Sequence, residues 1–333
     1  MKPSELTLRQ MAGQRIMAGF SGTGLDPELK YLIDTVCVGG IILFSRNIEN
    51  RHQLAGLCRD ARAYAGSCGQ PELIIAVDQE GGSVARLKGP DFFEPPEAAE
   101  IKGPAQAAEY AEITASELAS VGISMNMAPV MDVADPEGKS VMEGRCFGAD
   151  PGRVAESGAA VIDGMQKNGV MAVAKHFPGI GRTVTDSHLD LPELDTSFEE
   201  LENRDLVPFN HAIRKGSAGI MLSHIRYTAL DSRWPASLST QIARDLLRGR
   251  MGYGGLVVTD DLEMGAIANY YSMPEAASRI LEAEIDMALI CQSPEKAGAA
   301  LECFLSGLSD PDLLERAAGS VSRILRSKNR YSY

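Results

Sequence analysis

The segment from Lys175 to His188 has the residue types of an active-site loop. Lys175 and His176 begin it, a stretch rich in glycine follows, and Asp186 and His188 end it. The spacing Asp186-x-His188 lets a carboxylate orient and charge an imidazole, which can then serve as a general acid and later as a base. Two of the five histidines of the chain lie in this segment. We therefore predict an enzyme whose chemistry includes this loop.

Other polar residues stand directly after short apolar runs of the chain. Alone, an aspartate in such a position is more often a helix cap or a structural ion-pair partner. The carboxyl ends of parallel strands in an α/β barrel, however, converge on one mouth, so that several such residues favour a site. In chain order they are Asp78, Asp132, Lys175, His176, His224, Asp260 and Asp261, with Arg145 further along the loop after Asp132.

Eight apolar runs alternate with amphipathic segments, and this alternation predicts the fold. Short β-branched runs bounded by glycine and proline are typical of buried parallel strands. Strands separated by helices favour a (β/α)8 barrel, whereas an open doubly wound sheet would place GxGxxG after its first strand, and this chain has none there. We predict an α/β protein with one (β/α)8 domain over residues 1–333. The runs cover residues 17–20, 38–44, 73–77, 123–130, 170–174, 219–222, 255–258 and 286–290.

Composition argues against several partners. The formal net charge is −13 and no basic block offsets it, which disfavours nucleic acid. No run approaches the length of a transmembrane helix, and the first ten residues lack the apolar core of a signal peptide. The six cysteines include no CxxC pair, as expected of reduced thiols. We expect a cytoplasmic protein with a small-molecule substrate and no nucleic-acid or membrane partner, and the oligomeric state stays open.

Three kinds of site fit these residues. His176, Asp186, His188 and Asp260 could form a metal site, although neither HExxH nor an early HxH is present. A glycosidase needs a carboxylate at an oxocarbenium-like centre and a separate proton donor. Asp260 could be that carboxylate, kept ionised by cations nearby. A barrel that merely binds a ligand would not need an Asp-His pair.

Four segments in order carry a longer pattern: VDQEGG at 77–82 with Arg86, APVMDV at 128–133 with RCFG at 145–148, KHFPGIGRTVTDSH at 175–188, and TDDLEM at 259–264. Together they resemble the bacterial β-N-acetylglucosaminidases of glycoside hydrolase family 3. The similarity runs from about Leu8 to Cys291. It implies a retaining, cofactor-free exo-glycosidase that removes terminal N-acetylglucosamine through a covalent glycosyl-enzyme.

The resemblance also implies roles for single residues. Asp260 would be the nucleophile, and His188 the acid/base paired with Asp186. Members of this single-barrel type lack the second domain that supplies a glutamate acid/base elsewhere in the family. Cytoplasmic bacterial members of the family recycle cell-wall anhydromuropeptides. The resemblance implies that no metal takes part in the reaction. The residues that would hold the sugar hydroxyls are Asp78, Arg86, Arg145, Lys175 and His176.

The chain departs from the family at two loop positions. Many members have histidine where this chain has Ile180, and often aspartate where it has Arg182. Neither position is catalytic in these assignments, but the aglycone and the physiological substrate stay open. A phosphorylase that uses phosphate in place of water and a non-catalytic sugar-binding barrel are the alternatives.

Other residues near these segments could have either a structural or a functional role. Asp132 is either structural or in contact with the sugar, and His224 either lines the pocket or forms a core hydrogen bond. Asp261 is expected to cap the helix after the seventh run. Trp234 and Pro235 could shape the aglycone side.

Overall fold

The structure, a computed structural model, describes residues 1–138 and 140–331. Lys139, Ser332 and Tyr333 of the predicted 1–333 domain therefore lie outside the described part. Eight parallel strands close a barrel in chain order, the eighth pairing with the first, so the predicted (β/α)8 fold is confirmed. The strands are β1 (Ile16–Ala18), β2 (Gly40–Leu43), β3 (Ile74–Val77), β4 (Met125–Asn126), β5 (Met171–Phe177), β6 (Gly219–Leu222), β7 (Leu256–Asp261) and β8 (Met287–Ile290).

Helices connect the strands and surround the barrel. Asp150 caps the helix that begins at Pro151 by accepting the N–H of Arg153, and Gly169 follows its end with φ of +81°. A two-stranded sheet pairs Glu193–Leu194 with Arg226–Tyr227. The longer helices are Leu8–Gly13, Pro27–Asp34, Arg51–Ser67, Pro104–Ser120, Pro151–Lys167, Leu206–Arg214, the π-helical Gln241–Arg250, Met273–Glu282, Pro294–Gly307 and Pro311–Arg330.

Apolar side chains fill the barrel from within. Met17, Met125, Met171 and Met287 from four strands belong to this inner cluster, and Tyr331 at the end of the last helix joins it. A second, larger cluster lies between the strands and the helices. A barrel packed in this way is a rigid support, so its functional groups must lie at the strand ends and in the loops.

The strands that carry the predicted site are longer than their apolar runs. β5 continues through Phe177 and β7 through Asp261, so that Lys175 and Asp260 lie on strands and not in the loops after them. Polar side chains at the mouth can stay in a strand because they pair with each other. Hydrophobic periodicity does not identify such polar residues as parts of a strand.

Within the described residues, no helix combines the length and the apolarity that crossing a membrane requires. All six cysteines are unpaired thiols.

Candidate active site

A cavity of about 360 Å³ lies at the carboxyl ends of the strands. β3, β5 and β7 end at it, together with the loops that follow β3, β4 and β5. The eight residues predicted from sequence all line it, and the structure thereby brings together residues from four parts of the chain. They are Asp78, Arg86, Arg145, Lys175, His176, Asp186, His188 and Asp260.

A network of ion pairs forms one wall of the cavity. The Lys175 Nζ atom lies 2.7 Å from Asp78 Oδ1 and 2.7 Å from Glu80 Oε1. Arg145 donates two hydrogen bonds to the Glu80 carboxylate, at 2.9 and 2.7 Å. Arg86 Nη2 lies 3.6 Å from Asp78 Oδ2, and its buried Nε has no protein partner. Because paired cations in a buried site are held in place, this wall is preorganised to donate hydrogen bonds.

The pKa values of this network follow from burial and charge. Burial lowers the pKa of Lys175, but the carboxylates of Asp78 and Glu80 raise it by more, and the net shift is upward. Burial raises the pKa of Glu80, but the positive charges of Lys175 and Arg145 lower it by more, and the pKa falls to about 2. Both groups are therefore ionised at neutral pH.

Glu80 is a site residue that the sequence analysis did not assign. It stands two positions after Asp78, and this spacing places two side chains on the same side of an extended segment. Gln79 between them points away from the cavity and accepts the backbone N–H groups of Arg86 and Leu87 at 2.8 and 3.0 Å. It thereby folds the loop so that Arg86 returns to Asp78. The two-residue spacing of Asp78 and Glu80 was the sequence signal that could have identified Glu80 as a cavity residue.

Asp132 has a structural role. It is fully buried, does not line the cavity, and accepts the backbone N–H of Ile180 at 2.8 Å. It also accepts the Nδ1–H of His176 at 2.8 Å. Since Nδ1 is occupied, Nε2 is the nitrogen that His176 has free for a ligand.

Asp260 is a partly buried carboxylate near the end of β7. Burial raises its pKa, but His224, His176, the N–H of Asp261 and Lys175 lower it by more, and the net shift is downward. Its Oδ1 accepts the N–H of Asp261 at 2.8 Å. An ionised carboxylate facing a cavity is the state that a nucleophile requires.

The expectation that Asp261 caps a helix is wrong. Its Oδ1 accepts the N–H of Glu263 at 3.0 Å and that of Cys291 at 3.2 Å, and so joins the turn after β7 to the end of β8. The helix that follows begins at Gly265 and has Met264 at its cap position. Burial raises the pKa of Asp261 to about 6, with Asp260 and Glu263 adding to the shift.

His224 forms a core hydrogen-bond network and does not line the cavity. Its Nε2–H donates to the carbonyl of Asp261 at 2.8 Å, and its Nδ1 lies 2.7 Å from the Ser237 hydroxyl. Trp234 and Pro235 are likewise buried away from the cavity, and the Trp234 ring packs 5.3 Å from that of Tyr271. The expectation that they shape the aglycone side is therefore wrong.

Asp186 and His188 form a pair at the outer edge of the cavity. The His188 Nδ1 lies 2.8 Å from Asp186 Oδ1, which also accepts the His188 backbone N–H at 2.9 Å. Burial raises the pKa of Asp186, but the backbone and ring of His188 lower it by more. The His188 side chain is 69% exposed, so its Nε2 is accessible to a bound molecule.

The His188 loop docks on the segment that follows the Asp260 strand. The carbonyls of His188 and Ser187 accept the N–H groups of Gly265 and Ala266 at 3.1 and 3.0 Å. Two backbone hydrogen bonds therefore connect the loop of the imidazole to the strand of the carboxylate, which fixes the two functional groups relative to each other.

The two departures from the family pattern have identifiable places. Arg182 donates to buried Asp205 at 2.7 Å and to Thr196 at 3.1 Å, and so anchors the beginning of the loop. Ile180 lines the cavity with an apolar side chain. Neither residue is part of the Asp186–His188 pair.

Gly265→Ala is expected to displace the His188 loop. A Cβ atom at this position would lie 2.6 Å from the carbonyl oxygen of Leu189 and 2.7 Å from that of His188. A displacement near 1 Å can cost up to about 10²-fold in rate. We expect such a loss with an unactivated glycoside, measured by steady-state kinetics. Gly254→Ala is the control, since nothing lies within 4 Å of its added Cβ, and equal rates for the two variants would contradict the docking argument.

The histidines and carboxylates pair with each other instead of converging on a metal. Among the described residues, no three His, Cys, Asp or Glu side chains are arranged to hold a metal ion. The metal-site hypothesis for His176, Asp186, His188 and Asp260 thus has no geometric support.

A partly buried, ionised carboxylate, a separate Asp-His pair and a wall of hydrogen-bond donors face one pocket of the barrel. This arrangement is that of a (β/α)8 glycoside hydrolase. Residues 7–326 match the profile of the glycosyl hydrolase family 3 N-terminal domain. The chain belongs to glycoside hydrolase family 3.

Named relatives and solved structures agree with this membership. A beta-hexosaminidase of Tolumonas auensis is 38% identical over 93% of this chain and 92% of its own length, and one of Methylococcus capsulatus is 38% identical over 91% and 90%. The family 3 beta-N-acetylglucosaminidase of Paenibacillus sp. str. FPU-7 superposes with a TM-score of 0.95 at 38% identity, over 98% of this chain and 63% of that one. The beta-N-acetylhexosaminidase of Beutenbergia cavernae superposes with a TM-score of 0.91 at 31% identity, over 97% of this chain and 99% of that one.

Proposed function

We propose that this glycoside hydrolase is a retaining exo-β-N-acetylglucosaminidase. The observation that carries the proposal is the presence of the ionised Asp260 and the Asp186–His188 pair around one cavity. Relatives named beta-hexosaminidase and beta-N-acetylglucosaminidase support the choice of sugar. A non-catalytic barrel would have no need of this separate nucleophile and proton donor.

The proposed reaction has two steps. Asp260 attacks the anomeric carbon while His188 donates a proton from Nε2 to the departing oxygen, and Asp186 stabilises the imidazolium before transfer. The glycosyl-enzyme ester is then hydrolysed by water, from which His188 takes a proton. Lys175, Arg145, Arg86, His176 and Asp78 would hold the hydroxyls of the terminal sugar.

The charges around the cavity favour water over phosphate as the acceptor. Among the described residues, five carboxylate side chains (Asp78, Glu80, Asp186, Asp260 and Asp261) and three cations line it, and two of these cations, Lys175 and Arg145, already have short ion pairs. An anionic acceptor would meet repulsion there. The test is incubation with a chromogenic β-N-acetylglucosaminide with and without phosphate. We expect free N-acetylglucosamine in both; the sugar 1-phosphate would support the phosphorylase, and no turnover would contradict the proposed function.

The outer side of the cavity has room for a large aglycone. His188 and Asp186 are 69% and 48% exposed, so the proton donor stands where a bulky leaving group can reach it from solvent. We propose cell-wall anhydromuropeptides as the natural substrates and the cytoplasm as the compartment. The family resemblance supports the first, and six unpaired cysteines are consistent with the second.

Lys175→Ala is expected to lower kcat/KM by roughly 10²-fold or more, because a hydrogen bond from its ammonium to a sugar hydroxyl strengthens in the transition state. Steady-state kinetics on an aryl N-acetylglucosaminide measures it. Lys215→Ala is the matched control, since Lys215 pairs with Asp163 on the outer surface, with Nζ to Oδ2 at 2.7 Å. Unchanged kinetics in Lys175→Ala would leave Lys175 as a structural ion-pair partner.

A further inference from the structure

Glu80 lies between two cations of the cavity wall, Arg145 and Lys175, and contacts both. Arg145 Nη2 and Lys175 Nζ each lie 2.7 Å from the same atom, Glu80 Oε1, and Arg145 Nε lies 2.9 Å from Oε2. The side chains of Glu80 and Lys175 are 7% and 3% exposed. Three chain segments, the loop after β3, the loop after β4 and strand β5, therefore meet at this carboxylate.

Glu80 is unsuited to a direct chemical role. Burial raises its pKa, but Lys175 and Arg145 bring it down to about 2, so the group carries no proton to donate at neutral pH. Each of its oxygens already accepts from a cation, which also weakens it as a nucleophile or base. Its function must therefore act through its partners.

The shared oxygen has a consequence for the two cations. Two like charges that approach the same atom repel each other strongly in a site of low dielectric, unless a carboxylate lies between them. Asp78 offsets Lys175 from the other side at 2.7 Å, but Arg145 has no comparably short carboxylate contact apart from Glu80 in the described part of the chain. Without the Glu80 charge, Arg145 and Lys175 would separate.

We propose that Glu80 is a positioning residue, which holds Lys175 and Arg145 at the spacing that the terminal sugar requires. The inference rests on the proposed function and extends it to a residue that acts on the substrate through Lys175 and Arg145. Its charge is the active feature, because an amide could accept one of these hydrogen bonds but could not offset two cations.

The test compares Glu80→Gln, Glu80→Asp and wild type on a chromogenic β-N-acetylglucosaminide. We expect Glu80→Gln to lower kcat/KM by roughly 10²-fold, with part of the loss in kcat, because the donors are misplaced in the transition state. Glu80→Asp restores the charge with a shorter reach and should recover part of the activity.

The split between kcat and KM gives a readout that a merely structural role would not move. Hydrogen bonds from Lys175 and Arg145 to the sugar strengthen in the transition state, so displacing these donors in Glu80→Gln should lower kcat and not only raise KM. Glu80→Asp, which keeps the charge, should recover part of kcat.

Glu117→Gln is the matched control for loss of a buried carboxylate. Glu117 accepts the N–H of Phe93 at 3.1 Å, lies 3.6 Å from Arg51, and does not line the cavity. It should change thermal stability without changing kcat or KM. A kcat and a kcat/KM close to wild type in Glu80→Gln, no recovery of kcat in Glu80→Asp, or the same kinetic loss in Glu117→Gln would overturn the proposal. Inactive wild type would instead overturn the proposed function.

Discussion

Asp260→Ala is expected to remove nearly all turnover, by roughly 10⁴-fold or more, while the protein stays folded. Removing a covalent nucleophile removes the whole double-displacement pathway. The fold should persist because the substitution removes a partly buried negative charge beside Asp261, whose pKa that charge helps to raise to about 6. Steady-state kinetics on an aryl N-acetylglucosaminide measures the first effect, and thermal unfolding the second.

A 2-fluoro sugar, in which fluorine takes the place of the C2 substituent, should identify the nucleophile directly. The wild type should gain the mass of one glycosyl unit on the peptide that contains Asp260. Asp261→Asn is the informative comparison, since its side-chain oxygen can still accept the N–H groups of Glu263 and Cys291, and the label should stay on Asp260. A label on Asp261 or on another residue would falsify the assignment.

His188→Ala should affect poor leaving groups far more than good ones. Loss of a general acid costs about 10²–10⁴-fold when the leaving oxygen needs a proton. A nitrophenolate departs without protonation, so a nitrophenyl substrate should keep far more relative activity than an N-acetylglucosaminyl disaccharide. The measurement is kcat/KM for both substrates in wild type and variant.

His52→Ala is the control for this experiment, because His52 lies in the helix Arg51–Ser67 and does not line the cavity. Its rates should match the wild type on both substrates. Equal losses on activated and unactivated substrates in His188→Ala would remove His188 from the acid role. Glu80 could not then be the general acid, because its pKa of about 2 leaves it without a proton at neutral pH. The limbs of the pH profile belong to coupled groups, and neither reports His188 alone.

The barrel and the convergence of the site were predictable because they depend on local patterns. Eight apolar runs with helices between them have one closed arrangement that brings their carboxyl ends together. Asp78, Lys175 and Asp260 could be recognised because each stands within two positions of the end of such a run. The residue types of the catalytic loop were equally visible, since Asp186 and His188 are two positions apart.

What the sequence did not reveal depends on contacts between distant segments. The role of Glu80 requires Arg145 and Lys175 to meet at one oxygen, and these residues are far apart along the chain. Asp132 and His224 each had two equal readings, because burial and hydrogen-bond partners decide between them. Trp234 was misassigned because a loop after a barrel strand can turn outward and pack against a neighbouring helix.

The anchored catalytic loop separates two kinds of evolutionary change. Arg182 holds its beginning to Asp205, and the carbonyls of Ser187 and His188 hold its tip to the chain beyond β7. Between or beside these attachments, Val184 and Leu189 are 67% and 74% exposed. Mutations at such positions can alter the surface that an incoming aglycone meets while His188, the proposed proton donor, keeps its place. During evolution, the aglycone preference of this enzyme can therefore change without changes in the residues that carry out the reaction.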